Sequence, residues 1–269
     1  MNIQYSHPLR RPRAPPRLRA RATLGDTPAP VYAVHIATQP PPSMCGRYVL
    51  RSPPERLRDQ FAAAADALQW PARYNVAPLQ VAPVLRVVEG RRRIDLLRWG
   101  LVPSWAGDAT IGARLINARA ETVADKPSFR AAYKARRCIV PADGFYEWQQ
   151  RASGKQPLFV SRRDGRLLAM AGLWEHWSRA GQPQLQTFTV LTTEAGAWMR
   201  PLHERMPVIL ADEAALARWL DPTALADSLR DLLGAAPDDA LQAWDVDRAV
   251  GDARRDTPEL IEPIGAPQA

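Results

Sequence analysis

From Trp70-Pro71 onward the chain changes its pattern to period two and to short apolar runs. That pattern belongs to strands, and it restricts the fold more than any other property of the sequence. Residues 84–88, a Glu89-Gly90 turn and residues 94–99 read as a hairpin. Further strands are expected at 138–140, 144–149, 158–161, 167–173, 188–192 and 243–246, with Asp164-Gly165 supplying a second hairpin turn. Before the change, Ser52-Pro53-Pro54-Glu55 reads as a helix entry, with Ser52 at the cap and Pro53 at the first helical position. Leu57, Phe61, Ala64 and Leu68 then share one face, which predicts an amphipathic helix to about Leu68. Short helices are expected at 128–135 and 193–199, one capped by Asp212 through Leu220, and another over 222–233. Antiparallel hairpins with scattered helices predict an α+β fold, one β-rich domain with a barrel-like core and peripheral helices.

Residues 1–43 are different. They hold nine of the 26 prolines and six arginines against one acid, so most of the formal charge of +8 lies there. Without apolar periodicity the stretch predicts disorder. A transit peptide, a basic arm and an upstream start preceding the functional one are three readings of it. The domain is expected over 44–263, followed by a tail at 264–269. No run of about 18 apolar residues suggests a membrane span. Two cysteines without metal-ligand neighbours fit a reducing cytoplasm and no metal. The absence of a phosphate-cradling glycine loop, an HExxH or a paired CxxC argues against nucleotide-driven motors and the common zinc enzymes.

Four stretches carry candidate chemistry. If the chain starts at Met44 and that residue is trimmed, Cys45 carries a thiol and a free α-amine on one carbon frame. With pKa values near ~8.5 and ~7.7–8.0 both are partly deprotonated at neutral pH. Such an aminothiol attacks an aldehyde first through nitrogen, then through sulfur, closing a thiazolidine. Asn117-Ala118-Arg119-Ala120-Glu121 follows the apolar Leu115-Ile116. Asn117 reads either as a turn residue beside a surface Arg119/Glu121 pair or as a site residue at the end of a buried segment. Glu147 lies between aromatics in a strand, where it either points to water or has its carboxyl pKa raised for proton transfer. His203 precedes Arg205 in a turn-like segment and is either structural or catalytic, with a phosphate contact open to Arg205. Among nine tryptophans, Trp105 and Trp148 are the candidates for stacking unpaired bases.

Six ordered blocks then resemble one family. They are Met44-Cys45-Gly46-Arg47-Tyr48, Arg73-Tyr74-Asn75-Val76-Ala77-Pro78, Trp99-Gly100-Leu101-Val102-Pro103-Ser104-Trp105, the 117–121 block, Arg137 through Trp148, and His203-Glu204-Arg205-Met206-Pro207. Together they resemble the SOS-response-associated peptidase family, whose members process abasic sites in single-stranded DNA. The resemblance implies a catalytic set of Cys45, Asn117, Glu147 and His203. It also implies DNA contacts from Arg47, Arg119 and Arg205, with Asn75, Pro78, Trp105 and Trp148 on the same side. His203 would assist opening of the abasic sugar at O4′, the Cys45 amine would form a Schiff base at C1′, Glu147 would shuttle protons, and sulfur would close the ring. The implied partner is single-stranded DNA containing abasic sites, bound by a monomer without cofactor, in the cytoplasm at the nucleoid. The family name also implies removal of the protein's own initiator residues. The sequence departs from the family pattern in the extension before Met44 and at 246–252, where relatives carry a serine and paired asparagines. Two other classes stand beside this one: a cysteine hydrolase using Cys45 and His203 on protein substrates, and a non-covalent DNA binder.

Overall fold

A computed structural model describes residues 46–64 and 68–265. The expectations for 1–43, the Met44 start and Cys45 lie outside the described residues, as does the end of the tail. In chain order the elements are β1 (Tyr48–Leu50), α1 (Pro54–Phe61), β2 (Arg73–Val76), β3 (Val81–Val88), β4 (Arg91–Trp99), β5 (Asn117–Arg119), α2 (Arg130–Ala135) and β6 (Arg137–Ala142). They continue with β7 (Gly144–Arg151), β8 (Gly154–Arg162), β9 (Leu168–Trp177), β10 (Leu185–Glu194), β11 (Arg205–Pro207), α3 (Glu213–Leu220) and β12 (Leu241–Asp245). The fold is α+β and β-rich, as the alternation predicts.

One sheet runs β12-β8-β7-β1-β2. In the other, β10, β4, β3, β6 and β9 follow one another, and β9 pairs back onto β10, so five strands close a ring. All its pairings are antiparallel except β10 with β4, where Thr187 lies opposite Arg98. The hairpin of β3 and β4 turns at Glu89 and Gly90, both at positive φ (50° and 74°), the combination that matches strand twist in a two-residue turn. Trp99 joins the two sheets. Its ring is 5.3 Å from that of Tyr48 in β1 and stacks on Phe188 of β10 at 6.2 Å, while its N–H donates to Ile116 O at 2.8 Å. Fully burying one such indole withdraws roughly 150–250 Å² from water, about 4–6 kcal/mol at ~25 cal/mol per Å².

Five local expectations are corrected. Ser52 does not cap α1; Pro53 does, and the Ser52 hydroxyl instead donates to Asp143 Oδ1 at 2.7 Å. The helix stops at Phe61, not Leu68, because Ala62 turns left-handed (φ 47°) and Ala64 leaves to bridge Arg93 of β4. Asp164-Gly165 does turn the chain, but it links β8 of one sheet to β9 of the other instead of closing a hairpin. Gln60 of α1 diverts the chain there, donating to Leu167 O and accepting from Leu167 N, both at 2.9 Å. Finally, 193–199 begins as strand, since Thr193 and Glu194 pair with Met206 and Arg205, and the 222–233 helix is a 3-10 segment at Ala226–Leu233. Asp212 caps α3 as expected, accepting from Ala215 N at 2.8 Å.

Candidate functional site

The second half of β10 gathers two of the polar blocks. On one edge lies β5 in parallel register, with Asn117 opposite Val190 and Arg119 opposite Thr192. On the other lies β11, with Pro207 opposite Thr192 and Arg205 opposite Glu194. A strand has two edges, so segments far apart in sequence become neighbours across it. Arg205 ties them: Nη1 and Nη2 donate to Glu121 Oε1 and Oε2 at 2.6 and 3.0 Å, and Nη2 also donates to Thr192 O at 2.7 Å. Glu121 therefore pairs with Arg205, not with Arg119 as a surface pair would have it. Partial burial raises the Glu121 carboxyl, but the hydrogen bond and charge of Arg205, together with backbone hydrogen bonds from Glu121 and Glu194, hold it below its ordinary range.

His203 stands at the entrance to β11. A tight turn presents it, with Leu202 N and His203 N donating to Met199 O at 2.9 and 3.0 Å. Its Nδ1 accepts from Arg205 N at 3.0 Å, which assigns the neutral tautomer with the proton on Nε2. Burial lowers its pKa, and the charges of Arg205 and Lys155 act in the same direction. At neutral pH the ring is uncharged.

Glu147 comes from the other sheet. It sits in the middle of β7 and is only 2% exposed, so the strand does not point it to water. Tyr48 lies opposite Phe145, and Tyr146 N donates to Arg47 O at 3.0 Å; one more step of that antiparallel register puts Gly46 across from Glu147. Two residues along, Gln149 Nε2 donates to Pro201 O at 3.1 Å, joining β7 to the turn that holds His203. Lys155, opposite Gln150 in the hairpin of β7 and β8, belongs to the same neighbourhood. Of the three catalytic candidates among the described residues, Asn117 and His203 come from segments flanking the end of β10, and Glu147 lies on the strand that bonds to the His203 turn.

The remaining candidates divide. Arg119 is exposed, and its side chain bonds to no other described residue. Trp105 is 58% exposed, with its N–H 3.4 Å from Pro127 O. Pro78 and Trp148 are half-buried. Arg47 and Asn75 turn inward, 8% and 0% exposed, bonding to each other at 3.2 Å. Thr192 and Lys155 were missed by sequence reasoning: a threonine in a strand and a lysine in a hairpin carry no signal until β10 and β7 are placed. No three of His, Cys, Asp or Glu gather as a metal would need among the described residues.

With this geometry in view, the comparisons are direct. The family model described as SOS response associated peptidase (SRAP) matches residues 44–253. The abasic site processing protein YoqW of Bacillus subtilis (strain 168) is 40% identical over 225 residues, covering 81% of this chain and 99% of its own. The abasic site processing protein HMCES of Gallus gallus is 34% identical, covering 71% of this chain and 66% of its own. Among solved structures, a Bordetella bronchiseptica protein superposes with a TM-score of 0.65 at 32% identity, over 76% of this chain and 100% of its own. One from Bacteroides thetaiotaomicron gives 0.72 at 22% identity, over 81% of this chain and 99% of its own, a likeness of fold. The chain belongs to the SOS response associated peptidase family.

Proposed function

We propose that this chain processes abasic sites in DNA by crosslinking to them through Cys45, within a catalytic domain spanning 44–263. The observation that carries the proposal is Glu147: a carboxylate 2% exposed, in mid-strand, across the register from Gly46, which follows Cys45 directly. A buried carboxylate at that register position has a use if the residue before Gly46 is a reacting amine. The relatives named as abasic site processing proteins supply the substrate class.

The chemistry then runs in order. His203, neutral and with Nε2–H available, hydrogen-bonds O4′ as the C1′–O4′ bond breaks, the proton of the C1′ hydroxyl passing through water to O4′ and leaving the aldehyde at C1′. The Cys45 amine adds to C1′, Glu147 takes a proton from its nitrogen and returns it to the hydroxyl formed there, and that hydroxyl leaves as water, giving an imine. The thiol then adds across that imine: sulfur bonds to C1′, the proton goes to nitrogen, and the five-membered ring closes. Asn117 holds the cysteine or the sugar oxygen. One water is lost overall. Arg119, exposed at the end of β5, takes a phosphate, Arg205 beside it being held by Glu121 and Thr192, and Trp105 offers a face to an unpaired base.

The test uses protein prepared with Cys45 as its first residue and a single-stranded oligonucleotide with one abasic site, without borohydride. The expected intact mass is protein plus DNA minus one water, stable to denaturation. No adduct, with the α-amine verified in the same spectrum, refutes the proposal and turns attention to peptide hydrolysis. Arg119→Gln should lower the salt slope of binding by about 0.7, one phosphate contact on a single strand; an unchanged slope removes Arg119 from the interface.

A further inference from the structure

The segment at 246–252 departs from the family pattern, and Arg47 and Asn75 face away from solvent. These facts meet at one place. Arg47 Nη1 donates to Asn75 Oδ1 at 3.2 Å and to Val250 O at 2.9 Å, and its Nη2 to Gly251 O at 3.4 Å. The other end of the Asn75 amide, Nδ2, donates to Val250 O, Asp252 O and Arg255 O at 3.2, 3.1 and 2.8 Å. Asp256 closes the arrangement from below: Oδ1 accepts from Asn75 N at 2.9 Å, and Oδ2 pairs with Arg73. Residues 250–256 are thus fastened to β2 and to the residue preceding β1.

The residue types follow from this geometry. An amide accepts from the guanidinium with its oxygen while its two N–H groups, one of them shared, serve three carbonyls; a carboxylate has no donor. The Arg47 charge lies against the carbonyl end of the 3-10 turn Arg248–Gly251, where the peptide dipoles favour a cation. Three of its contacts are already made, and 8% exposure leaves little of it for a ligand.

We propose that Asn75 and Arg47 are positioning residues: together they clasp the 250–256 segment, fix residue 47 from its side chain while β7 fixes its carbonyl, and so hold the register that sets Gly46, the residue after the reacting cysteine, across from Glu147. This rests on the crosslinking function proposed above and assigns to these two residues a task other than phosphate contact. The 250–256 segment becomes part of the catalytic apparatus without touching DNA.

The test is single-turnover crosslinking of an abasic oligonucleotide as DNA concentration is varied, for the wild type, Arg47→Met, Asn75→Asp and the double variant. The expected result is a limiting rate lower by about tenfold or more in each, since small misplacements of reacting groups are costly. The half-saturating DNA concentration and the salt slope should stay within about twofold of wild type. The double variant should be no slower than the worse single one, because both act through one clasp. If Arg47→Met instead raises the half-saturating concentration and lowers the salt slope by about 0.7 at an unchanged limiting rate, Arg47 is a phosphate contact and the proposal fails. It fails equally if both single variants react at the wild-type rate. Should Asn75→Asp not fold, Arg47→Lys takes its place, keeping the charge without the fork. If the wild type forms no adduct, the crosslinking function falls on its own. Amide exchange at Tyr48 and Tyr146 then tests the clasp alone: faster exchange in Arg47→Met keeps it, unchanged exchange ends it.

Discussion

Arg137 opens one of the six blocks of the family, and the structure assigns it a structural load that can be measured. It is 6% exposed, and its guanidinium donates to Tyr133 O, Lys134 O and Trp219 O at 2.8 Å and to Asp221 O at 2.5 Å. Tyr133 and Lys134 lie in the last turn of α2, while Trp219 and Asp221 lie at the end of α3, so the negative ends of two helices converge on one cation. Burial lowers its pKa, but the group stays charged at any ordinary pH. Arg137→Met would keep the aliphatic stem and take the guanidinium donors away from four carbonyls, of which Asp221 O keeps a bond from Ala224 N at 3.2 Å. Removing one side of a buried charged network costs about 3–5 kcal/mol, out of a total stability of roughly 5–15 kcal/mol. Arg137→Lys, with three donors and no fork, should lose about half as much. Equilibrium urea unfolding followed by tryptophan fluorescence reads both, Trp219 being in contact with the site. A loss below about 1 kcal/mol for Arg137→Met would mean that water reaches these carbonyls, and the convergence of the two helix ends would then count for little.

Three further predictions follow from single contacts. His203 should titrate in an NMR experiment with a midpoint below the ordinary ~6.5. Its folded pKa being depressed, its stabilising contribution is complete above about 6.5 and is lost as pH falls through that value toward the folded midpoint, so His203→Gln should flatten that acid-side loss. In Gly144→Ala the new Cβ would lie 2.5 Å from Val160 O and collide with the Phe159 ring, so the loss should reach or exceed the top of the usual ~1–3 kcal/mol for overpacking, about 6–12 °C in Tm by melting. Asp212→Ala removes the side-chain cap of α3 and should cost about 1 kcal/mol in urea unfolding, with no change in crosslinking rate.

What the sequence makes legible is whatever local chemistry decides. The hairpin at Glu89-Gly90 and the Asp212 cap depend on neighbours within a few residues, and both are found where period and turn chemistry put them. Ser52 shows the limit: its cap signal is sound, yet an aspartate 91 positions away takes the hydroxyl. Asp164-Gly165 has the same history, since Gln60 decides which sheet the chain enters. At the candidate site, residue type and setting made Asn117, Glu147 and His203 candidates with a structural reading open beside each, and the family resemblance chose the catalytic one. Their neighbourhood was beyond reach, because it depends on β5 and β11 choosing opposite edges of β10. Arg47 and Asn75 read as ligand contacts by residue type alone, and only the path of 250–256 shows what they hold.

The ring has a consequence for how the molecule comes to be active. β10 closes it with its parallel partner β4, Thr187 lying opposite Arg98, 89 positions earlier in the chain. Loop-closure entropy grows slowly with length, so such a closure costs the equilibrium little, but distant pairings make folding slow. Both β5 and β11 pair with β10, and so neither can find its register until that late strand is in place. On refolding, recovery of crosslinking should therefore coincide with the slowest phase, later than the tryptophan signal of the β3 and β4 hairpin. A nascent chain released between residues 194 and 203 would hold every strand of the ring and still lack His203.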